Sequence, residues 1–167
     1  MYDELTQVDI QKMQEEIEYR ILQLRPQYIE EVKAARAFGD LSENFEYKEA
    51  KRQKNRNESR IRYLQRMIKT ARVVESEHPE GCVGLFDKVE LYLPDDEETM
   101  EVKLVTTLRV NADGGLISRE SPLGKAIFGH KVGDVVQVEV RPGVSYAVEI
   151  RSIRPSDDDA SLPISQY

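Results

Sequence analysis

Residues 10–39 read IQKMQEEIEYRILQLRPQYIEEVKAARAFG. Apolar or amphipathic side chains recur at Ile10, Met13, Ile17, Ile21, Leu24, Tyr28, Val32 and Ala35, in steps of three and four. The cycle closes after about 11 residues, ~3.67 per turn, which predicts a nearly straight helix with one apolar stripe. Pro26 is its single breaker, because proline lacks the N–H that the ladder needs and can kink the helix. Gly39, tolerant of positive φ, ends the pattern.

The pattern resumes on the other side of a short gap. From about Asn44 to Val74 a second helical run carries a seam of Ile61, Leu64, Ile68 and Ala71, while residues 51–60 (KRQKNRNESR) hold no apolar side chain. Folding the two runs back to back around Gly39–Asn44 sets Ile17 opposite Leu64 and Ile10 opposite Ala71. It also sets Val32 and Tyr28 opposite Lys51 and Asn55. Apolar packing should then gather at the base of an antiparallel coiled-coil hairpin and thin towards its tip. At ~1.5 Å per residue each arm spans ~45 Å, which places the loop well away from any globular body.

Further on, the period changes. ESEHPEGC, residues 75–82, carries Pro79 and Gly81 and reads as a linker. Alternating runs follow at Val89/Leu91/Leu93, Met100/Val102/Leu104, Val136/Val138/Val140 and Tyr146–Ile150, separated by turn signals at 94–98, 111–115 and 141–143. They predict half-buried antiparallel strands. One short helix interrupts them, with Ser121 as N-cap, Pro122 in its first turn and Gly129 after its last. The expected class is therefore α+β: an N-terminal hairpin over 1–75, a linker over 76–82, a small antiparallel β domain with one short helix over 83–154, and a disordered acidic tail over 155–167.

Composition narrows the function. The 167 residues include 24 basic and 31 acidic side chains, a net charge of −7. The charge is unevenly placed: residues 1–47 carry −6, residues 48–72 carry +8 and residues 73–167 carry −9. A basic block between acidic stretches calls for an anionic neighbour, either the preceding segment or nucleic acid. One cysteine, Cys82, excludes an intrachain disulfide framework, and two scattered histidines make no zinc site. No apolar run approaches the ~20 residues of a membrane span, and the N-terminus lacks the pattern of a secretory signal, so a cytoplasmic location is expected.

The loop Gly39-Asp40-Leu41-Ser42-Glu43-Asn44 permits two readings. Asp40 and Glu43 have the spacing of a capping box, and both suit the positive end of a helix dipole. Ser42 and Asn44 can also cap, so the carboxylates are not all required there. Two free carboxylates are too few for a metal cage. They are enough to share Mg²⁺ with water and substrate phosphates, and could complete a metal site belonging to another macromolecule.

Residues 34–54, AARAFGDLSENFEYKEAKRQK, resemble the signature of the bacterial transcript cleavage factors GreA and GreB, and residues 117–140, ISRESPLGKAIFGHKVGDVVQVEV, resemble the family's C-terminal signature. The likeness, closer to GreA, runs from about Thr6 to Arg154. It implies an FKBP-like C-terminal domain that holds the rim of the RNA polymerase secondary channel, with Ser121, Pro122, Leu123, Gly124 and Gly129 as the matching polymerase-binding residues. It implies a coiled coil threaded to the polymerase active centre, where the 3′ end of backtracked RNA lies. Asp40 and Glu43 would there assist the second Mg²⁺ and the attacking water, with Leu41, Ser42 and Asn44 completing the tip. The factor itself would be no nuclease, would have no cofactor of its own, and would work as a monomer away from membranes.

Arg36, Lys48, Lys51, Arg52 and Arg56 lie near the tip and are candidates for RNA phosphates, although solubility of an exposed helix explains any one of them equally well. For Tyr47 and Phe38, packing that fixes the tip loop is the expectation, with stacking on bases second. Phe45 stands where the family usually has a small residue. Alternatives are a homologue that occupies the channel and inhibits, against which the stimulatory tip pattern argues, a prolyl isomerase suggested only by fold analogy, and a structural coiled-coil adaptor.

Overall fold

The computed structural model describes residues 3–39, 44–75, 80–156 and 161–165. The chain forms two compact units. One is a helical hairpin over Ile10–Ala71; the other combines Asp3–Asp9 with the chain from Arg72 onward. The hairpin is thus shorter at both ends than the 1–75 read from the sequence. The reason is pairing the sequence pattern does not show: β1 (Glu4–Leu5) lies parallel to β2 (Arg72–Val73), with Glu4 opposite Arg72 and Leu5 opposite Val73. Both segments therefore join the β unit.

In the hairpin, α1 (Gln7–Tyr19), a π-helical turn (Arg20–Leu24) and α2 (Arg25–Arg36) make the first arm, and α3 (Phe45–Thr70) makes the second. Every expected seam position of the first arm is buried or half-buried, from Ile10 to Ala35. The expected kink takes the form of the π turn. Pro26 cannot donate to the ladder, and just before it Arg25 N–H bonds back to Arg20 O, five residues away. Asn57 Nδ2 donates to the same Arg20 carbonyl at 3.3 Å, so the displaced acceptor has partners from both arms.

Ile61 and Leu64 are the buried apolar residues of α3; its other two buried positions are Asn57 and Arg60. The middle of the hairpin is closed by polar ties. Glu16 accepts from Arg60 Nε at 3.1 Å, Arg20 Nη1 donates to Asn57 Oδ1 at 2.9 Å, and Arg25 grips Glu58 through two hydrogen bonds of 2.7 and 2.9 Å. The Arg25 guanidinium holds the Glu58 carboxyl below its usual range. Nearer the tip, Ala35 is the only buried apolar residue among those described, in line with the expected thinning.

The β unit is built on a five-stranded sheet of β3 (Lys88–Leu93), β4 (Glu98–Val105), β5 (Leu116–Ser118), β6 (Val135–Arg141) and β7 (Val144–Arg154), in the order β5-β4-β3-β7-β6. Three pairings are antiparallel, as expected, but β5 runs parallel to β4, with Lys103 opposite Leu116. Three residues are too short a run to show alternation, and the 3₁₀ turns at Thr107–Arg109 and Ala112–Gly114 provide the return. One face of the sheet, with α4 (Pro122–Ile127), buries Val89, Leu91, Val102, Leu104, Ile127, Val138, Val148 and Ile150. Val140 belongs to the inward series by sequence but is 56% exposed, because the register shifts between Glu139 and Arg141.

A second apolar cluster of Leu85, Phe86 and Val105 carries Val74, Leu116 and Leu162 on its flank. Leu162 comes from the tail that composition marks as disordered. Ser156 N–H also reaches Asp87 Oδ1 at 3.3 Å, and Ser165 N–H reaches Leu108 O at 2.5 Å. A few apolar and backbone contacts thus hold part of an otherwise polar segment. Beside this cluster lies an ion pair with both side chains fully buried, Arg109 Nε to Asp9 Oδ1 at 2.7 Å. Asp9 also caps α1 reciprocally with Thr6: Thr6 N–H donates to Asp9 Oδ2 at 3.0 Å and Asp9 N–H donates to Thr6 Oγ1 at 3.2 Å.

Candidate functional site

The tip is framed by the end of α2 and the start of α3. Ala37 N–H bonds Ala34 and Ala35 carbonyls to close α2, and Phe38 N–H bonds Ala35 O. Across the loop, Asn44 is the N-cap of α3: its Oδ1 accepts from Tyr47 N–H at 3.0 Å, and its Nδ2 donates to Ala35 O at 2.7 Å. One amide therefore fills the cap and ties the two arms together. The sequence offered three capping candidates here, and Asn44 takes the position. The helix itself starts at Phe45, with Asn44 in extended conformation before it. Asp40, Leu41, Ser42 and Glu43 themselves lie outside the described residues.

Arg36 Nη2 donates to Tyr47 Oη at 3.4 Å, with its guanidinium 5.5 Å from the ring centroid, and this hydrogen bond lowers the tyrosine's pKa below its usual value. Tyr47 is half-buried and tied to the other arm through Arg36. Phe38 is 76% exposed, and Phe45 is 82% exposed.

Of the five basic candidates, four converge. Lys48, Lys51, Arg52 and Arg56 line an open groove of about 470 Å³ on α3, together with Asn55 and Ser59. Their i, i+3, i+4 and i+8 spacing puts them on one helix face. Arg52 also pairs with Glu49 at 3.2 Å, both side chains largely exposed, a contact weak in water. Arg36 is on the other arm, committed to Tyr47. Among the described residues no group of three or more His, Cys, Asp or Glu could hold a metal ion.

In the β unit, Ser121 caps α4 as read from the sequence. Its Oγ accepts from Gly124 N–H at 3.1 Å and donates to Ser118 O at 2.6 Å. Gly124 is required by space, since a Cβ there would stand 2.1 Å from Ser118 O. Leu123 packs on the main core, and Gly129, at φ +78°, turns the chain so that its N–H meets Val83 O at 2.9 Å. These four build the connection. Pro122 is exposed and borders a second groove with Lys125, Ala126, Val140, Arg141 and Pro142. The outward place of Val140 escaped the sequence reading, because only the register shift in β6 produces it.

A helical hairpin with a basic face on its second arm and a separate small β unit define the class as a two-unit protein. The chain belongs to the GreA/GreB family of transcription elongation factors: the family's N-terminal model matches residues 4–73 and its C-terminal model residues 78–155. It is 38% identical over 150 residues to transcription elongation factor GreA of Mesoplasma florum, covering 89% of this chain and 96% of the relative. GreA of Thermoanaerobacter pseudethanolicus is 42% identical over 141 residues, covering 84% and 90% of the two chains. Among solved structures, the transcription factor Gfh1 aligns with 93% of this chain and 99% of its own at 25% identity, with a TM-score of 0.45.

Proposed function

We propose that this factor binds bacterial RNA polymerase, enters its secondary channel with the helical hairpin, and stimulates the polymerase's own hydrolysis of backtracked RNA. The observation that carries the reading is the end of the hairpin. Asn44 supplies the cap of α3 and the tie to α2, so the cap of that helix is filled by a residue other than the two acids of the loop.

The donor chemistry suits Mg²⁺. One or two carboxylates, with water and substrate phosphates, are a normal magnesium environment. Asp40 and Glu43 would contribute oxygens to an ion that the polymerase also holds, and would orient water beside the RNA. Bound there, the ion supplies Lewis-acid activation of that water. The groove of Lys48, Lys51, Arg52 and Arg56 would hold RNA phosphates in a sequence-independent, salt-sensitive way. Pro122 and its exposed neighbours in the second groove would meet the polymerase, while Ser121, Leu123, Gly124 and Gly129 keep that surface in shape. At ~1.5 Å per residue the 26-residue α3 is ~39 Å long, enough to reach a recessed centre. The chain would contribute no nuclease activity by itself.

The test is a backtracked elongation complex with 5′-labelled RNA and Mg²⁺. The parent chain should shorten the RNA, while Asp40→Ala and Glu43→Ala should each slow cleavage at least about a hundredfold, as loss of a group that stabilises the transition state does, with polymerase binding retained. Cleavage at the parental rate by both variants would end the metal role. Binding that blocks extension without cleavage would make the factor an inhibitor.

A further inference from the structure

Two phenylalanines bracket the tip with their rings in water. Phe38 follows α2 and Phe45 opens α3; they are 76% and 82% exposed, the two most exposed large apolar side chains among the described residues. The Asn44–Ala35 hydrogen bond of 2.7 Å holds the two helix ends together, so both rings leave the same end of the hairpin. The third aromatic residue there, Tyr47, is half-buried and engaged with Arg36. Tyrosine and asparagine thus tie the two helix ends, and packing does not account for either exposed phenylalanine.

The surroundings indicate what would cover them. Lys48 Nζ lies 5.8 Å from the Phe45 ring centroid, and Lys48 opens the groove shared with Lys51, Arg52 and Arg56. A π face beside a row of cations is the pattern that binds single-stranded nucleic acid, with phosphates on the cations and unpaired bases stacked on the rings. A duplex would not use the rings, since its bases already stack on each other. A purely apolar protein pocket would gain nothing from the cations.

We propose that Phe38 and Phe45 form a stacking platform for unpaired bases at the 3′ end of the RNA, with Lys48 and Lys51 on the adjoining phosphates. The proposal rests on the function given above and adds base recognition to it. The rings act as positioning residues, fixing the terminal nucleotide relative to the hairpin end. Purines, with the larger π surface, should be held better than pyrimidines.

The test uses the full chain and a backtracked complex whose RNA ends in 2-aminopurine behind a non-hydrolysable phosphonate linkage. Polymerase binding is followed separately by anisotropy of the labelled chain. The parent should quench the 2-aminopurine; Phe38→Leu and Phe45→Leu should lose most of the quenching with polymerase affinity within about twofold; Phe45→Tyr should keep it. With ordinary RNA ending in adenosine, the Leu variants should need about tenfold more protein for half-maximal cleavage, in the range of losing one base–aromatic stack. An abasic 3′ end should erase that difference. Leu variants that bind and quench like the parent overturn the stacking alone. A tenfold defect that persists on abasic RNA assigns the rings to a protein wall and also overturns it. A chain that does not bind polymerase at all overturns the functional reading, and the stacking falls with it.

Discussion

The hairpin and the β unit solve the problem of holding together in opposite ways. The β unit buries an unbroken apolar layer, with Val89, Leu91, Leu104, Ile127, Val138, Val148 and Ile150 each at most a few per cent exposed. Its burial term is non-directional and scales with area. Among its described residues the hairpin has only Ile10, Met13, Ala35, Ile61 and Leu64 as buried apolar residues, and its middle is closed by Glu16, Arg20, Arg25, Asn57, Glu58 and Arg60. Two helices alone cannot enclose a core, so directional polar contacts do the work that area does elsewhere. Those contacts also fix register. An apolar seam that thins to nothing would tolerate sliding by a turn, whereas Arg20–Asn57 and Arg25–Glu58 have one geometry in which all their bonds form.

The β unit also buries charge, and the Asp9–Arg109 pair should be its most sensitive point for stability. Asp9 and Arg109 are both fully buried as an ion pair. Asp9→Ala removes the carboxylate that faces a buried guanidinium and also removes the Thr6 cap, so it should cost about 3–5 kcal/mol. Replacing both partners, as Asp9→Leu with Arg109→Met, should recover most of that loss in thermal or urea unfolding. A single Asp9→Ala costing less than about 1 kcal/mol would show that this pair does not matter.

A smaller effect is expected in the hairpin. Asn57 accepts from Arg20 and donates to the Arg20 carbonyl at the π turn. Asn57→Ala should destabilise the hairpin by about 1–3 kcal/mol by leaving buried polar groups without partners. Asn57→Leu, which adds apolar area at the same place, should preserve helix content while loosening the register, read as spread in distances between spin labels on the two arms. Unchanged distances in Asn57→Leu would assign register to the seam alone.

The smallest effect is a pH dependence. Arg25 holds the Glu58 carboxyl below its usual value of 4.5. A carboxylate with a depressed folded-state pKa adds stability that is fully present above the unfolded value and is lost as pH falls through the folded one. Hairpin stability should therefore decline below about pH 4.5, and Glu58→Gln should flatten that acid limb while lowering the plateau at neutral pH. Both side chains are partly solvated, so high salt should shrink the difference. An identical acid limb in Glu58→Gln would place the titration elsewhere.

The amphipathic seam from Ile10 to Ala35, the strand alternation in β3 and β7, and the Ser121–Pro122 helix start were all legible in the sequence, because each is set by residues within a few positions of one another. So was family membership, through two motifs of fixed order. The same local logic left the tip acids with two readings, and it assigned to loop packing a Phe38 whose ring is exposed. What only the tertiary structure decided depends on partners far apart in the chain. Burial of Asn57 and Arg60 needs the facing arm, and the outward turn of Val140 needs the shifted register against β7. The parallel pairs β1–β2 and β4–β5 each include a segment too short to carry a pattern, and the Asp9–Arg109 pair closes across 100 residues. Periodicity reports which face of an element is apolar; which polar groups that face must accommodate is settled only when a second element arrives to desolvate them.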